Sequence, residues 1–107
     1  MNPIKQLELI HLYQLSVNQA RTLLHLYTAG PCRTTKLAPY LGISTAAVTT
    51  ITDKLVAMKL ISRFPFTNDR RIVMLHITNK GRAHAHSIIT ATPVNQKETK
   101  HYERTTK

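Results

Sequence analysis

The sequence predicts a mainly α domain that carries a small two-stranded β-hairpin, an α+β arrangement. Three observations predict it. Apolar residues recur at helical spacing through most of residues 4 to 92. Two short apolar runs, residues 61 to 66 and 72 to 77, flank a polar tip, Thr67-Asn68-Asp69-Arg70-Arg71. Hydroxyl side chains stand where helices would begin, at Ser16, Thr34 or Thr35, Ser44 and Thr78. The chain of 107 residues is long enough for one domain with one modest core.

The first helix is expected over residues 4 to 15. Its apolar residues, Ile4, Leu7, Leu9, Ile10, Leu12, Tyr13 and Leu15, spread around the helix instead of forming one stripe. Such a helix wants burial on more than one side, either within its own core or against another subunit. Ser16-Val17-Asn18-Gln19 reads as a capping box for a second helix, whose Val17, Ala20, Leu23, Leu24 and Tyr27 recur at helical spacing. Gly30-Pro31 ends it. A short third helix covers Lys36 to Leu41, with Leu37, Ala38 and Leu41 inward. Pro39 removes one of its backbone bonds, so it should be short or distorted. Leu41-Gly42-Ile43 is a turn, and Ser44 caps a fourth helix with an apolar stripe of Val48, Ile51, Leu55 and Met58. In the second strand Val73, Leu75 and Ile77 alternate with Met74 and His76, and in the first Pro65 suits only a sheet edge. Thr78 caps a last helix to about Thr92, where Pro93 stops or kinks it. Residues 94 to 107 are almost devoid of apolar side chains, so the domain should span 1 to 93 and be followed by a flexible polar tail.

Composition narrows the function. There are 15 Lys and Arg against 5 Asp and Glu, a net charge of +10, which favours a polyanionic partner. The single cysteine, Cys32, forms no internal disulfide and fits a reducing compartment. No apolar run reaches the ~18 residues of a membrane span, and the first residues lack the pattern of a signal peptide. A cytoplasmic protein without membrane contact is expected. Histidines stand at 11, 25, 76, 84, 86 and 101. His84 and His86, two apart on a helix, point away from each other, so no metal site and no cofactor are expected. Cys32 lies next to Arg33, but redox sensing would need a lowered pKa and exposure. No nucleophile–base–acid set, phosphate loop or carboxylate pair is visible, so no catalytic residues are expected.

The element order, with two helices around a Gly-containing turn and then a hairpin, is that of a winged helix-turn-helix. Ser44, Thr45, Ala46 and Ala47 open the fourth helix with short side chains, so its backbone can approach the major groove of DNA closely. Thr49 and Thr50 continue that face beside Asp53 and Lys54. Threonine is a poor helix former, yet Thr45, Thr49, Thr50 and Thr52 share one helix. Its hydroxyl can donate or accept and its methyl can touch thymine, although a plain solvated face remains the alternative. The hairpin can lay Arg70 or Arg71 in the minor groove, with Asp69 forming the turn and orienting an arginine. Thr35, Lys36, Lys54, Arg63 and Lys80 are placed to meet phosphates of the DNA backbone.

The run from about Leu15 to Ala83 resembles the multiple-antibiotic-resistance regulator (MarR) family of winged-helix transcription factors. The matching residues are Leu37-Ala38, Leu41-Gly42-Ile43-Ser44, Val48-Thr49, Asp53-Lys54-Leu55, Leu60-Ile61-Ser62-Arg63, Asn68-Asp69-Arg70-Arg71 and Ile77-Thr78-Asn79-Lys80-Gly81. The D-x-R wing followed by a strand and T-x-x-G is the more specific part. The resemblance implies a homodimeric repressor or activator on near-palindromic double-stranded DNA, associated with a prokaryotic nucleoid. It implies base reading by the start of the fourth helix, Arg71 in the minor groove, and Asp53 and Asp69 as structural acids near the wing arginines. It leaves a small-molecule effector open. Lys59 stands where the family usually has glycine, and the chain is short for a family that dimerises through long terminal helices. A dimer would then use a reduced interface of Ile4, Leu7 and Ile10 with Ile88 and Ile89. Two rival readings remain: a protein-docking winged-helix adaptor, and a nonspecific architectural DNA-binding protein.

Overall fold

Side-chain caps set where four helices begin. Asn2 Oδ1 accepts from the Lys5 amide at 3.1 Å, Ser16 and Gln19 bond reciprocally, Ser44 Oγ accepts from Ala47 N, and Thr78 Oγ1 accepts from Gly81 N. The computed structural model that shows this describes residues 2–66 and 68–94. In chain order the elements are α1 (Pro3–Leu12), α2 (Val17–Ala29), β1 (Cys32–Arg33), α3 (Thr34–Leu41), α4 (Thr45–Ala57), β2 (Ile61–Phe66), β3 (Asp69–Ile77) and α5 (Asn79–Thr90). All of the expected tail except Val94 lies outside the described residues. No described helix is long and apolar enough to cross a membrane.

The sheet is antiparallel and three-stranded, in the order β1-β3-β2. The sequence predicts its hairpin, β2 and β3, but not β1. That strand is two residues long, Cys32 opposite Leu75 and Arg33 opposite Met74, too short to carry a period of two. β2 is an edge, so Pro65 interrupts no ladder on its outer side. Leu23 and Leu26 of α2, Leu37 of α3, Leu55 of α4, Leu60, Ile61 of β2 and Leu75 of β3 are almost wholly buried. Ala85 and Ile88 of α5 complete that core.

Several boundaries differ from expectation. α1 stops at Leu12 instead of residue 15, and Gln14 turns the chain with φ +59°. Leu15 is buried, but from the loop after the turn, so its apolarity belongs to the core and not to the helix. α3 starts from Arg33 with no side-chain cap, so neither Thr34 nor Thr35 caps it, and Pro39 sits inside its eight residues. α5 ends at Thr90, and Ala91 takes φ +55°. There the Tyr13 hydroxyl meets Ser87 Oγ and accepts from Val94 N, while Ser87 Oγ donates to the Thr92 carbonyl. These bonds hold the chain on both sides of Pro93 against Tyr13 and Ser87.

The end of α4 is a Schellman turn built on lysine. Lys59 N donates to Val56 O, Leu60 N donates to Leu55 O, and Lys59 itself has φ +63°. The left-handed position that favours glycine is therefore occupied at a cost of about 1 kcal/mol. The start of α5 docks on this turn. Thr78 Oγ1 donates to Lys59 O at 2.7 Å, Thr78 N donates to Leu60 O, and Lys80 Nζ donates to Met58 O at 2.9 Å. Gly81 makes the contact close enough: a Cβ there would lie 2.0 Å from the Leu60 carbonyl oxygen and 2.7 Å from Ile77 Cγ1. Gly81→Ala must push α5 off α4 and should destabilise the domain by roughly 3 kcal/mol, read from the urea midpoint; an unchanged midpoint would show that the two helices are not held this closely.

Candidate nucleic-acid interface

The fourth helix is presented by the third, and the third is held by the second. Arg21 of α2 donates to the carbonyls of Tyr40 at 3.2 Å and Leu41 at 3.4 Å, satisfying groups that the end of α3 leaves open. Its guanidinium carbon lies 5.6 Å from the Tyr40 ring centroid, and the His25 ring packs on the same Tyr40 ring with centroids 4.2 Å apart. Gly42, with φ +72°, then swings the chain into Ser44 and α4. Nothing in the spacing of Arg21 and Tyr40 marks this clamp, because the two lie on separate helices.

At the start of α4, Ser44, Thr45, Ala46, Thr49 and Thr50 are exposed and Ala47 is half-buried. The hydroxyls of Thr49 and Thr50 donate to the carbonyls of Thr45 and Ala46, while both residues stay exposed. Thr52 is different. It is fully buried, its hydroxyl donates to Val48 O, and it accepts from Arg63 at 2.6 Å. Thr52 therefore joins the helix to the sheet and leaves the candidate contact face.

Arg63 of β2 spans that joint. Its Nη2 reaches Asp53 Oδ1 at 2.6 Å, Thr52 Oγ1 at 2.6 Å and Thr49 O at 3.4 Å. Asp53 is thus paired with a residue in the stem of the hairpin. The joint fixes the angle between α4 and the hairpin, and it leaves Arg63 less free for a phosphate than the sequence suggests. Lys80 is likewise engaged by Met58 O. Thr35, Lys36 and Lys54 are exposed.

At the hairpin tip Asp69 grips Arg71. Asp69 Oδ1 accepts from Arg71 N at 2.9 Å and Nε at 3.1 Å, and Oδ2 accepts from Nη2 at 3.0 Å. The Arg71 side chain is nonetheless 90 % exposed, so it is oriented while still projecting into solvent. The bonds from Arg71 hold the Asp69 carboxyl below its ordinary pKa, with Arg33 adding to the effect. A lowered pKa means that the tether is complete above the ordinary aspartate range and is lost only as pH falls through the lowered value. Of Arg70 only the backbone, in β3, is described.

The proposed dimer residues divide. Ile4 is 70 % and Leu7 59 % exposed, beside exposed Leu12 and Val17. Ile10 and Ile89 are half-buried and line an apolar groove of about 270 Å³ with Leu7, Leu24 and neighbouring side chains. Ile88 is 2 % exposed and belongs to the core, yet it also lines that groove, so it offers an interface almost no surface of its own. Burial raises the Cys32 thiol above its ordinary pKa, the reverse of what a reactive thiolate requires. Burial lowers His84, whose Nδ1 donates to Lys80 O while its ring meets Tyr13 edge-on at 4.7 Å. Among the described residues no group of three or more His, Cys, Asp or Glu is placed to hold a metal ion.

Comparison with known proteins agrees with this geometry. The chain is 40 % identical over 68 residues to YpoP of Bacillus subtilis (strain 168), an uncharacterized HTH-type transcriptional regulator, covering 64 % of this chain and 48 % of that protein. It therefore spans about half the length of such curated relatives. The crystal structure of the transcriptional regulator Tm0710 from Thermotoga maritima superimposes with a TM-score of 0.78 at 27 % identity, covering 82 % of this chain and 62 % of that one. The S. aureus MepR–DNA complex matches with a TM-score of 0.77 over 97 % of this chain and 82 % of its own; at 19 % identity that likeness speaks for the fold alone. The sequence profile of the MarR family matches residues 15–73, more than half of the chain, and the protein belongs to that family.

Proposed function

We propose that this protein is a sequence-specific, double-stranded DNA-binding transcriptional regulator that acts as a homodimer. The observation that carries the reading is the start of α4: a row of short, exposed side chains, Ser44, Thr45, Ala46, Thr49 and Thr50, on a helix N-terminus braced by α2 and α3 and joined to a projecting arginine hairpin. A helix N-terminus attracts phosphate, and short side chains let it enter the major groove. Ala47 supports this face from a half-buried position. Arg71, with Arg70 beside it in sequence, is the minor-groove element, and Asp69 orients it. Thr35, Lys36 and Lys54 supply contacts to phosphates, while Asp53, Arg63 and Lys80 hold the parts in register. The net charge of +10 supplies affinity without sequence information. The uncharacterized HTH-type transcriptional regulators of Bacillus subtilis that the chain resembles, at 40 % and 33 % identity, support DNA as the partner. Occupying a promoter is enough for repression, which we take as the mode of action.

Two copies related by a two-fold axis would place their recognition helices about 34 Å apart, one turn of DNA. Ile4 and Leu7 of α1 are the exposed apolar residues available for that contact, with Ile10 and Ile89 at its edge. The mass in solution should be twice the chain mass of 12.1 kDa, and Leu7→Glu should return it to the monomer value, measured by sedimentation equilibrium; a monomeric wild type would rule out palindromic recognition.

Fluorescence anisotropy on DNA from the protein's own upstream region, against scrambled DNA of equal length, tests the central claim. Specific binding should exceed scrambled binding by at least about 1000-fold at physiological salt, and both should fall steeply as salt rises. Equal affinities would leave only a nonspecific binder. Arg71→Ala should weaken the specific complex by roughly 1–3 kcal/mol, and an unchanged affinity would remove the hairpin from the mechanism.

A further inference from the structure

The hairpin ends in a feature that charge does not explain. Phe64, Pro65 and Phe66 are consecutive exposed residues on β2, with Phe64 53 % and Phe66 44 % exposed. Exposed aromatic rings on an edge strand invite pairing with other chains, and Pro65 between them withholds the amide that such pairing needs. Phe64 has a structural partner, since its ring meets His76 edge-on with centroids 5.3 Å apart. Phe66 stands nearer the tip. The register of β2 against β3 breaks immediately before it: Pro65 faces Val73, but Phe66 faces Asp69. Arg70, Arg71 and Ile72 are therefore accommodated as extra residues on β3, and irregularities of this kind re-aim side chains.

Residues directly opposite in an antiparallel pair project from the same face, with Cβ atoms about 5 Å apart. Phe66 thus shares a face with Asp69, and the Asp69 carboxylate grips the Arg71 guanidinium. An apolar ring and an oriented cation end up on one side of a thin basic finger. Minor-groove proteins use such pairs: the cation is drawn by focused negative potential, and the apolar side chain pushes between base pairs.

We propose that Phe66 is a minor-groove wedge, entering beside Arg71 and partly unstacking one base step of the bound duplex. The inference rests on the DNA-binding reading above and adds a second source of specificity to it. Unstacking costs least at pyrimidine–purine steps such as TpA and CpA. Phe66 therefore selects by deformability, whereas Arg71 responds to groove width and potential.

The test uses a duplex that the wild-type protein selects from a random pool, with 2-aminopurine placed at successive positions under the hairpin. Binding should raise the fluorescence at one step. Phe66→Ala should abolish that rise and Phe66→Leu should retain it, with thermal melting confirming that both variants are folded. Replacing the flexible step by a stiff ApA step should weaken wild-type binding about fivefold to tenfold and leave Phe66→Ala indifferent. A specific wild-type complex without the rise, or a rise that persists in Phe66→Ala, overturns the wedge. A wild-type protein that selects no sequence at all overturns the regulator reading itself, and the wedge with it.

Discussion

The approach of Gly81 to the carbonyl of Leu60 is the constraint on which the rest of the molecule depends, because it brings the end of α4, the start of β2 and the start of α5 into one joint. Several polar groups at that joint bond at close range. Thr78 Oγ1 both accepts from Gly81 N and donates to Lys59 O, and Lys80 covers the Met58 carbonyl. A helix ends with open carbonyls; here Lys59 N and Leu60 N close those of Val56 and Leu55, and Thr78 and Lys80 close the carbonyls of the turn that follows. The left-handed Lys59 is the strained member, and its cost of about 1 kcal/mol is offset by the burial of Leu60 that the turn makes possible.

From that joint the hairpin leaves at an angle set a second time by Arg63. A guanidinium shared between the Asp53 carboxylate and the buried Thr52 hydroxyl crosses from sheet to helix and ties α4 to the hairpin. This division of labour matters for function. The arginine nearest the helix is occupied in holding geometry, while the arginine at the tip is oriented by Asp69 and left exposed. A pre-oriented cation loses less side-chain freedom on binding than a free one. The same acid that lowers the local positive charge therefore improves the use of the charge that remains.

Much of this was legible in the chain because it is written in local chemistry. Ser16 with Gln19, Ser44 and Thr78 announce their helices through bonds spanning three residues, and the structure contains each of them. The edge position of Pro65 follows from residue type and place in the pattern, and Lys59 is left-handed where the resemblance implies glycine. What failed is non-local. Leu15 looks helical because it is apolar, but its burial comes from the fold around it. β1 exists only because Cys32 and Arg33 pass alongside Leu75 and Met74, more than forty positions away. Thr52, Arg63 and Lys80 read as members of a polar or basic surface, and became a joint once another element lay beside them.

By itself the sequence determined the order of the elements, their caps, the basic hairpin and the kinship that these residues carry, since each depends on residues a few positions apart. Only the tertiary structure decided which threonine is buried, which arginine joins helix to sheet and which is oriented but exposed, and that Ile88 is buried while Ile89 is half-buried. It also decided that Phe66 lies across from the acid that orients Arg71. The physical reason is the same in each case. A side chain's role depends on what the fold brings within hydrogen-bonding or van der Waals distance of it, and periodicity along one chain does not report what stands on the other side.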